Sequence, residues 1–162
     1  MYKIFLTVAL LLAVFTTTQS KAQQVSFIEQ EQHCLATAIY REARGETIKG
    51  QVLVAETVIN RTKDGKYPST ICKVVKQKGK NVKGKIVCQF SWNCMALPKI
   101  EPDIYQSSFL LAGYIINRKV KDISNGALFF FKDDELKYVR SMGIKLVARE
   151  GTHGFYRLKQ KS

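Results

Sequence analysis

Apolar positions in this chain recur with two periods. Between Glu29 and Ala43, Leu35, Ala38 and Ile39 fall at helical spacing, and three or four further residues along the stripe lies Glu42. That pattern predicts a helix carrying an acid on its apolar face near its end, where Gly45 can stop it. From about Lys49 to Arg61 the positions Val52, Leu53, Val54, Ala55, Val58 and Ile59 are apolar nearly all round, as in a central buried helix. Glu56 interrupts that run, and an acid there needs a partner or a task. A turn follows at 62–70, with Asp64-Gly65 and Pro68, and then a stretch with Lys73, Lys76, Lys78, Lys80, Lys83 and Lys85. The later part of that stretch reads as a solvated loop, a flap beside a groove. A third helix is expected after Pro102, with Asp103 near its cap, running to about Lys119 with Ile104, Ser108, Leu111 and Ile115 inward. The last third reads as extended at 127–131, 144–148 and 154–158. Helices first and strands later indicate an α+β fold in a single domain.

The start of the chain follows a different rule. Lys3 precedes an apolar run from Ile4 to Phe15, and Ser20-Lys21-Ala22 offers small residues for cleavage, the pattern of a secretory leader over 1–22. The run is shorter than the roughly 20 residues that span a bilayer, so no stable membrane insertion is expected after cleavage. The mature domain would be 23–162, starting near Gln23 or Gln24. Loss of Lys3 and Lys21 lowers the formal charge from +13 by two. A chain this basic favours polyanions. Export excludes nucleic acid as the expected partner and favours anionic glycans outside the membrane, placing the protein in the periplasm or outside the cell. The four cysteines, Cys34, Cys72, Cys88 and Cys94, all lie in the mature part. An even count in an exported chain reads as two disulfides, with three pairings open.

The chemistry concentrates in Tyr40-Arg41-Glu42-Ala43-Arg44-Gly45-Glu46, followed by Gly50-Gln51 and Asn60-Arg61. A carboxyl on an apolar helix face loses solvent, which raises its pKa. Held protonated near neutrality, it can give its proton to a glycosidic oxygen as the bond breaks. The plainer reading of Glu42 is a salt bridge to Arg41 or Arg44. Glu56 serves either as a second carboxylate toward substrate or as a buried acid satisfied by a helix terminus or Arg61. Trp92 offers a face for sugar stacking or a place in the core.

Together, CLATAIYREARGETIKGQVLVAETVINR, YPSTICKVV, CQFSWNC and HGFYR resemble the SleB-type cell-wall hydrolase family, which includes the spore-cortex-lytic enzymes. The resemblance runs from about Cys34 to Arg157. It implies a lysozyme-like domain similar to lytic transglycosylases, acting on peptidoglycan glycan strands between N-acetylmuramic acid and N-acetylglucosamine. It further implies that Glu42 is the essential acid, that Gln89, Phe90 and Ser91 lie along the glycan groove, and that His153 and Tyr156 match a late substrate-side element. It suggests the pairings Cys72–Cys88 and Cys34–Cys94. The chain departs from the family between Lys132 and Arg140, where relatives carry proline and tryptophan and this sequence has neither. No cofactor or metal is expected. Lytic transglycosylation fits best, because no second acid stands out in the motif and the sugar's own 6-hydroxyl can act as nucleophile. The alternatives are a hydrolytic N-acetylmuramidase, a wall amidase or peptidase using Cys34 and His153, and a glycan-binding module without catalysis.

Overall fold

The computed structural model describes residues 23–117, 121–133 and 143–159 in full, and the helical backbone before residue 23. The proposed leader and the expected end of the third helix near Lys119 lie outside the fully described residues, as does most of the divergent 132–140 stretch. Helix α1 runs Tyr2–Ala43, α2 Ile48–Lys63, α3 Ile71–Val75 and α4 Pro102–Ile116. Strands β1 (Lys78–Lys80) and β2 (Ile86–Cys88) form an antiparallel hairpin, followed by a 3₁₀ turn at Ser91–Cys94. Strands β3 (Phe129–Lys132), β4 (Ile144–Glu150) and β5 (His153–Leu158) make an antiparallel sheet in the order β3-β5-β4. This is the α+β order expected. No helix among the described residues is long and apolar enough to cross a membrane.

Local chemistry sets the boundaries. The Thr47 hydroxyl caps α2 by accepting from the Gly50 amide at 3.1 Å, and the Thr70 hydroxyl does the same for α3 from the Lys73 amide at 3.4 Å. Pro102 sits in the first turn of α4, where its missing N–H does no harm, and Asp103 lies inside that turn rather than at the cap. The buried stripe of α4 is Ser108, Ala112 and Ile115, so it runs past Ala112, leaves Leu111 half-buried at its edge and, against expectation, Ile104 exposed.

Two buried clusters meet along α1 and α2. Leu35, Ile39, Val58, Val74 and Phe90 belong to the first, between the helices; Ala43, Leu53, Val54, Ala127 and Phe155 form the second, under the sheet. Glu42 therefore leaves α1 where the helical core gives way to the sheet. The structure also overturns the disulfide pairing implied by resemblance. Cys34 is bonded to Cys72, with their Cα atoms 5.2 Å apart, and Cys88 to Cys94, with theirs 5.9 Å apart. Both spacings fall within the reach of a disulfide. The first pair follows from α3 docking end-on against α1, where the Glu31 carboxylate accepts from the amides of Ile71 and Cys72. The second closes the Gln-Phe-Ser loop on itself instead of tying it to α1.

Candidate active site

A cavity of about 490 Å³ opens beside the end of α1, lined by Glu42, Arg61, Tyr67, Cys88, Gln89, Phe90, Ser91 and Phe129 to Phe131. Four elements build it. Helix α1 supplies the acid, α2 the arginine, the loop after β2 one rim, and β3 an aromatic wall. Helix periodicity puts Glu42 next to the face that buries Leu35, Ala38 and Ile39, so it is half-buried and lines the cavity.

The Glu42 Oε1 atom accepts a hydrogen bond from the Trp92 indole N–H at 2.6 Å. Burial is the leading influence on the carboxyl and lifts its pKa above the usual glutamate value. The Trp92 bond and the electrostatic influence of His153, Lys132 and Arg61 act in the opposite direction, and burial prevails. Arg61 is itself buried: Nε donates to the Leu128 carbonyl at 2.8 Å, and the guanidinium lies over the rings of Tyr67 and Phe90 at 5.4 and 5.5 Å. Burial depresses the Arg61 pKa, with Tyr67 and Glu42 opposing.

Behind Glu42 stands a second acidic group. Glu46 Oε1 lies 3.2 Å from Nδ1 of the buried His153, and the Thr152 hydroxyl donates to the same oxygen at 3.4 Å. The β4–β5 turn approaches this carboxylate so closely that a methyl group at Gly151 would run into Glu46 Oε2, and Gly151 also has φ +53°. Glu46 thus packs against the β4–β5 turn, within ion-pair distance of His153 and hydrogen-bonded by Thr152.

The cavity brings Gln89, Phe90 and Ser91 together with Glu42, but not every residue selected from the sequence. Glu56 does not line it. Both of its oxygens accept from the Ile123 amide, at 3.1 and 3.0 Å, and it borders a separate cavity with Asn60, Lys63 and Asp122. Burial, followed among the raising influences by the neighbouring Asp122, brings Glu56 up to about 7. His153 and Tyr156 are buried and outside the lining; Tyr156 packs edge-on against Phe131, at 5.9 Å between centroids. Cys34, the thiol a peptidase would need, is bonded to Cys72. Arg41 and Arg44 turn elsewhere, to the Pro98 carbonyl and to the Tyr40 hydroxyl and Glu101, so neither supplies the salt bridge considered for Glu42.

Trp92 is the contact the sequence reading placed differently, as a stacking face or core residue. A partly buried indole N–H requires an acceptor, and that requirement was the available signal. Nothing in the linear order named Glu42 as the acceptor.

The model of the family described as Cell Wall Hydrolase matches residues 45–156, beginning just after Glu42. A spore cortex-lytic enzyme of Oceanobacillus iheyensis is 44% identical over 41 residues, which is 25% of this chain and only 15% of that protein. Among solved structures, the catalytic domain of the Bacillus cereus SleB protein superposes with a TM-score of 0.55 at 23% identity, covering 78% of this chain and 89% of that one. The catalytic domain of the germination-specific lytic transglycosylase SleB from Bacillus anthracis superposes with a TM-score of 0.55 at 24% identity, over 78% and 93%. At these identities the structural likeness speaks for the fold, which is that of the SleB catalytic domains. By its match to the family model over more than half its length, the chain belongs to the cell wall hydrolase family.

Proposed function

We propose that this protein is exported, to the periplasm or beyond the cell, and cleaves the glycosidic bond between N-acetylmuramic acid and N-acetylglucosamine in peptidoglycan as a lytic transglycosylase. The observation that carries this reading is Glu42: a carboxyl in a cavity wall, raised in pKa by burial and held at Oε1 by Trp92. With Oε1 occupied by the indole, Oε2 carries the proton. Glu42 gives that proton to the glycosidic oxygen, which leaves as the hydroxyl of N-acetylglucosamine. The muramyl 6-hydroxyl then attacks its own anomeric carbon and returns a proton to Glu42. An anhydro ring closes, no water is consumed, and the acid is regenerated.

Two things support this choice over hydrolysis. Glu56, the residue weighed as a second carboxylate, faces another cavity, and Glu46 is engaged by His153 and Thr152. A water-activating carboxylate, which an inverting hydrolase uses, is thus not aimed at the cavity by either candidate. The relative from Bacillus anthracis is described as a lytic transglycosylase, which points the same way.

The test is digestion of purified peptidoglycan by the wild type and by Glu42→Gln, with fragments identified by mass spectrometry. Anhydro-muramyl ends from the wild type, falling roughly 10²- to 10⁴-fold in Glu42→Gln, are expected, which is the usual contribution of a general acid. Reducing ends would instead make the protein a muramidase. Intact glycan with cut peptides would reject glycan cleavage altogether.

A further inference from the structure

Between Asp64 and Glu101 the chain has eight lysines and no acidic residue. Half of those lysines, Lys78, Lys80, Lys83 and Lys85, fall on the β1–β2 hairpin and its turn. Every residue of β1 is exposed, β2 is exposed except for half-buried Cys88, and Val82 at the tip is fully exposed. The hairpin adds nothing to either buried cluster. A two-stranded hairpin without a buried face is marginal in water, so something else must hold it.

Three ties do so. The Asn81 side chain accepts from the amides of Lys83 and Lys85, both at 3.0 Å, which fixes the turn. The Gln89 amide donates to the Gln77 carbonyl at 2.9 Å, extending the ladder past Cys88. The Cys88–Cys94 disulfide then locks the end of β2 to the 3₁₀ turn that carries Trp92. Among the described residues, no lysine of the hairpin pairs with a carboxylate. Mutual repulsion of unpaired cations on a rigid arm is unfavourable, and it is relieved when an anion arrives.

The position of the arm determines which anion. Lys78 is paired in register with Cys88 and Lys80 with Ile86, so both project to the same side of the hairpin as Cys88, which lines the cavity. Gln89, the next residue, is already at the rim. An anion on the arm is therefore adjacent to whatever fills the cavity, and covalent attachment to that occupant would hold both in place together. Peptidoglycan strands meet this condition, because their muramyl sugars bear peptide branches with free carboxylates.

We propose that the β1–β2 hairpin is a second substrate-contact surface, on which Lys78, Lys80, Lys83 and Lys85 hold the peptide carboxylates of the glycan strand lying in the Glu42 cavity. This rests on the reading of the cavity as a glycan site. It makes the protein selective for strands whose peptides bear free carboxylates.

The test compares the full chain with a Lys78→Gln/Lys80→Gln/Lys83→Gln/Lys85→Gln variant on intact peptidoglycan and on the same peptidoglycan after its peptide carboxylates have been converted to amides by carbodiimide coupling with ammonia. On intact material at low salt the variant's KM should rise about tenfold with kcat held, the scale of several exposed ion pairs acting together. The difference should shrink at about 1 M salt, where charges are screened within roughly 3 Å, and should be absent on the amidated material. Replacing the same four lysines by glutamate should raise KM further on intact material. Co-sedimentation with sacculi in a Glu42→Gln background reads affinity without cleavage, so failure of the cleavage reading is seen separately from failure of this one. Equal KM values on intact peptidoglycan, an equal loss on the amidated material, or sedimentation that follows phosphodiester polymers rather than peptides would each overturn the proposal.

Discussion

Two opposed influences meet on the Glu42 carboxyl, and Trp92 is the one that mutation can remove cleanly. Its indole N–H lowers the Glu42 pKa against the stronger effect of burial, while fixing which oxygen faces the cavity. Trp92→Phe keeps an aromatic ring, though a smaller one, and deletes the donor. The Glu42 pKa should then move further up, so the alkaline limb of the kcat/KM profile should shift to higher pH. The rate at the optimum should fall about tenfold, because a hydrogen bond to an ionisable group is worth roughly 1.5–3 kcal/mol. A profile unmoved in both position and height would show that the bond has no positioning role. Glu56 makes a different prediction, about stability. Its carboxyl rises from 4.5 in the free residue to about 7 in the fold. The fold therefore favours the protonated form, and the resulting stability is fully present below about pH 4.5 and lost as pH rises through about 7. Asp122 beside it is held below its usual value; its largest single influence, burial, acts upward, and the bonds from Ser124 and Glu56 outweigh it. Its contribution is present above its unfolded pKa and is lost as pH falls through its lower folded one. Glu56→Gln keeps an acceptor for the Ile123 amide and does not ionise, so its melting temperature should decline less than that of the wild type between about pH 5 and 8, the remaining slope coming from groups such as Glu42. Parallel curves for the two proteins would refute this.

The two disulfides act on different elements and should fail differently when removed. Cys34–Cys72 spans 38 residues and pins α3 to α1; Cys88–Cys94 spans only 6 and closes the loop that carries Trp92. Chain-entropy arguments give about 4 kcal/mol for the longer closure and about 2 kcal/mol for the shorter. Cys34→Ala/Cys72→Ala should therefore lower the melting temperature more, whereas Cys88→Ala/Cys94→Ala should lose more activity for less stability, as Trp92 and the Gln89 rim loosen. Calorimetry and turnover on the same two variants decide it, and the reverse order would mean that the short loop holds its shape without the bond. These elements also mark how far the sequence could be read. Helices α1 and α2 were legible because Leu35, Ala38 and Ile39, and then Val52 to Ile59, repeat at helical spacing over several turns. The hairpin was read as a loop because Lys78, Gly79 and Lys80 have no apolar alternation; it exists through the Asn81 turn and a disulfide. Helix α3 is five residues long, too short for a period to show. The disulfide pairing was misjudged because it depends on how α3 docks on α1, which no spacing in the chain specifies. Glu42 was legible as a buried acid, but its partner lies 50 residues away and was visible only in the folded chain.

The family model begins at residue 45, while the acid and the helix that holds it lie before that point. Taken alone, the matched segment would be two small sheets and three helices without the α1 wall. Leu35, Ile39 and Tyr40 are fully buried, and Ala36 and Ala38 pack in the same layer. Each large apolar side chain contributes about 1.5–3 kcal/mol by burial, against a net stability for a small domain of about 5–15 kcal/mol. Removing α1 should therefore abolish folding, not only catalysis. Residues 23–30, in contrast, are all exposed. Cutting the chain at Gln23, where the proposed leader would end, touches no core contact among the described residues. A chain of residues 23–162 should accordingly melt cooperatively, keep both disulfides and retain full activity on peptidoglycan. A chain of residues 45–162 should show no cooperative transition by calorimetry and no amide protection by hydrogen exchange, even under oxidising conditions. A folded 45–162 fragment would mean that α1 is an appendage delivering Glu42 to an independent domain. Loss of folding in 23–162 would mean that the segment before Gln23 belongs to the mature protein, and the leader reading would fall with it.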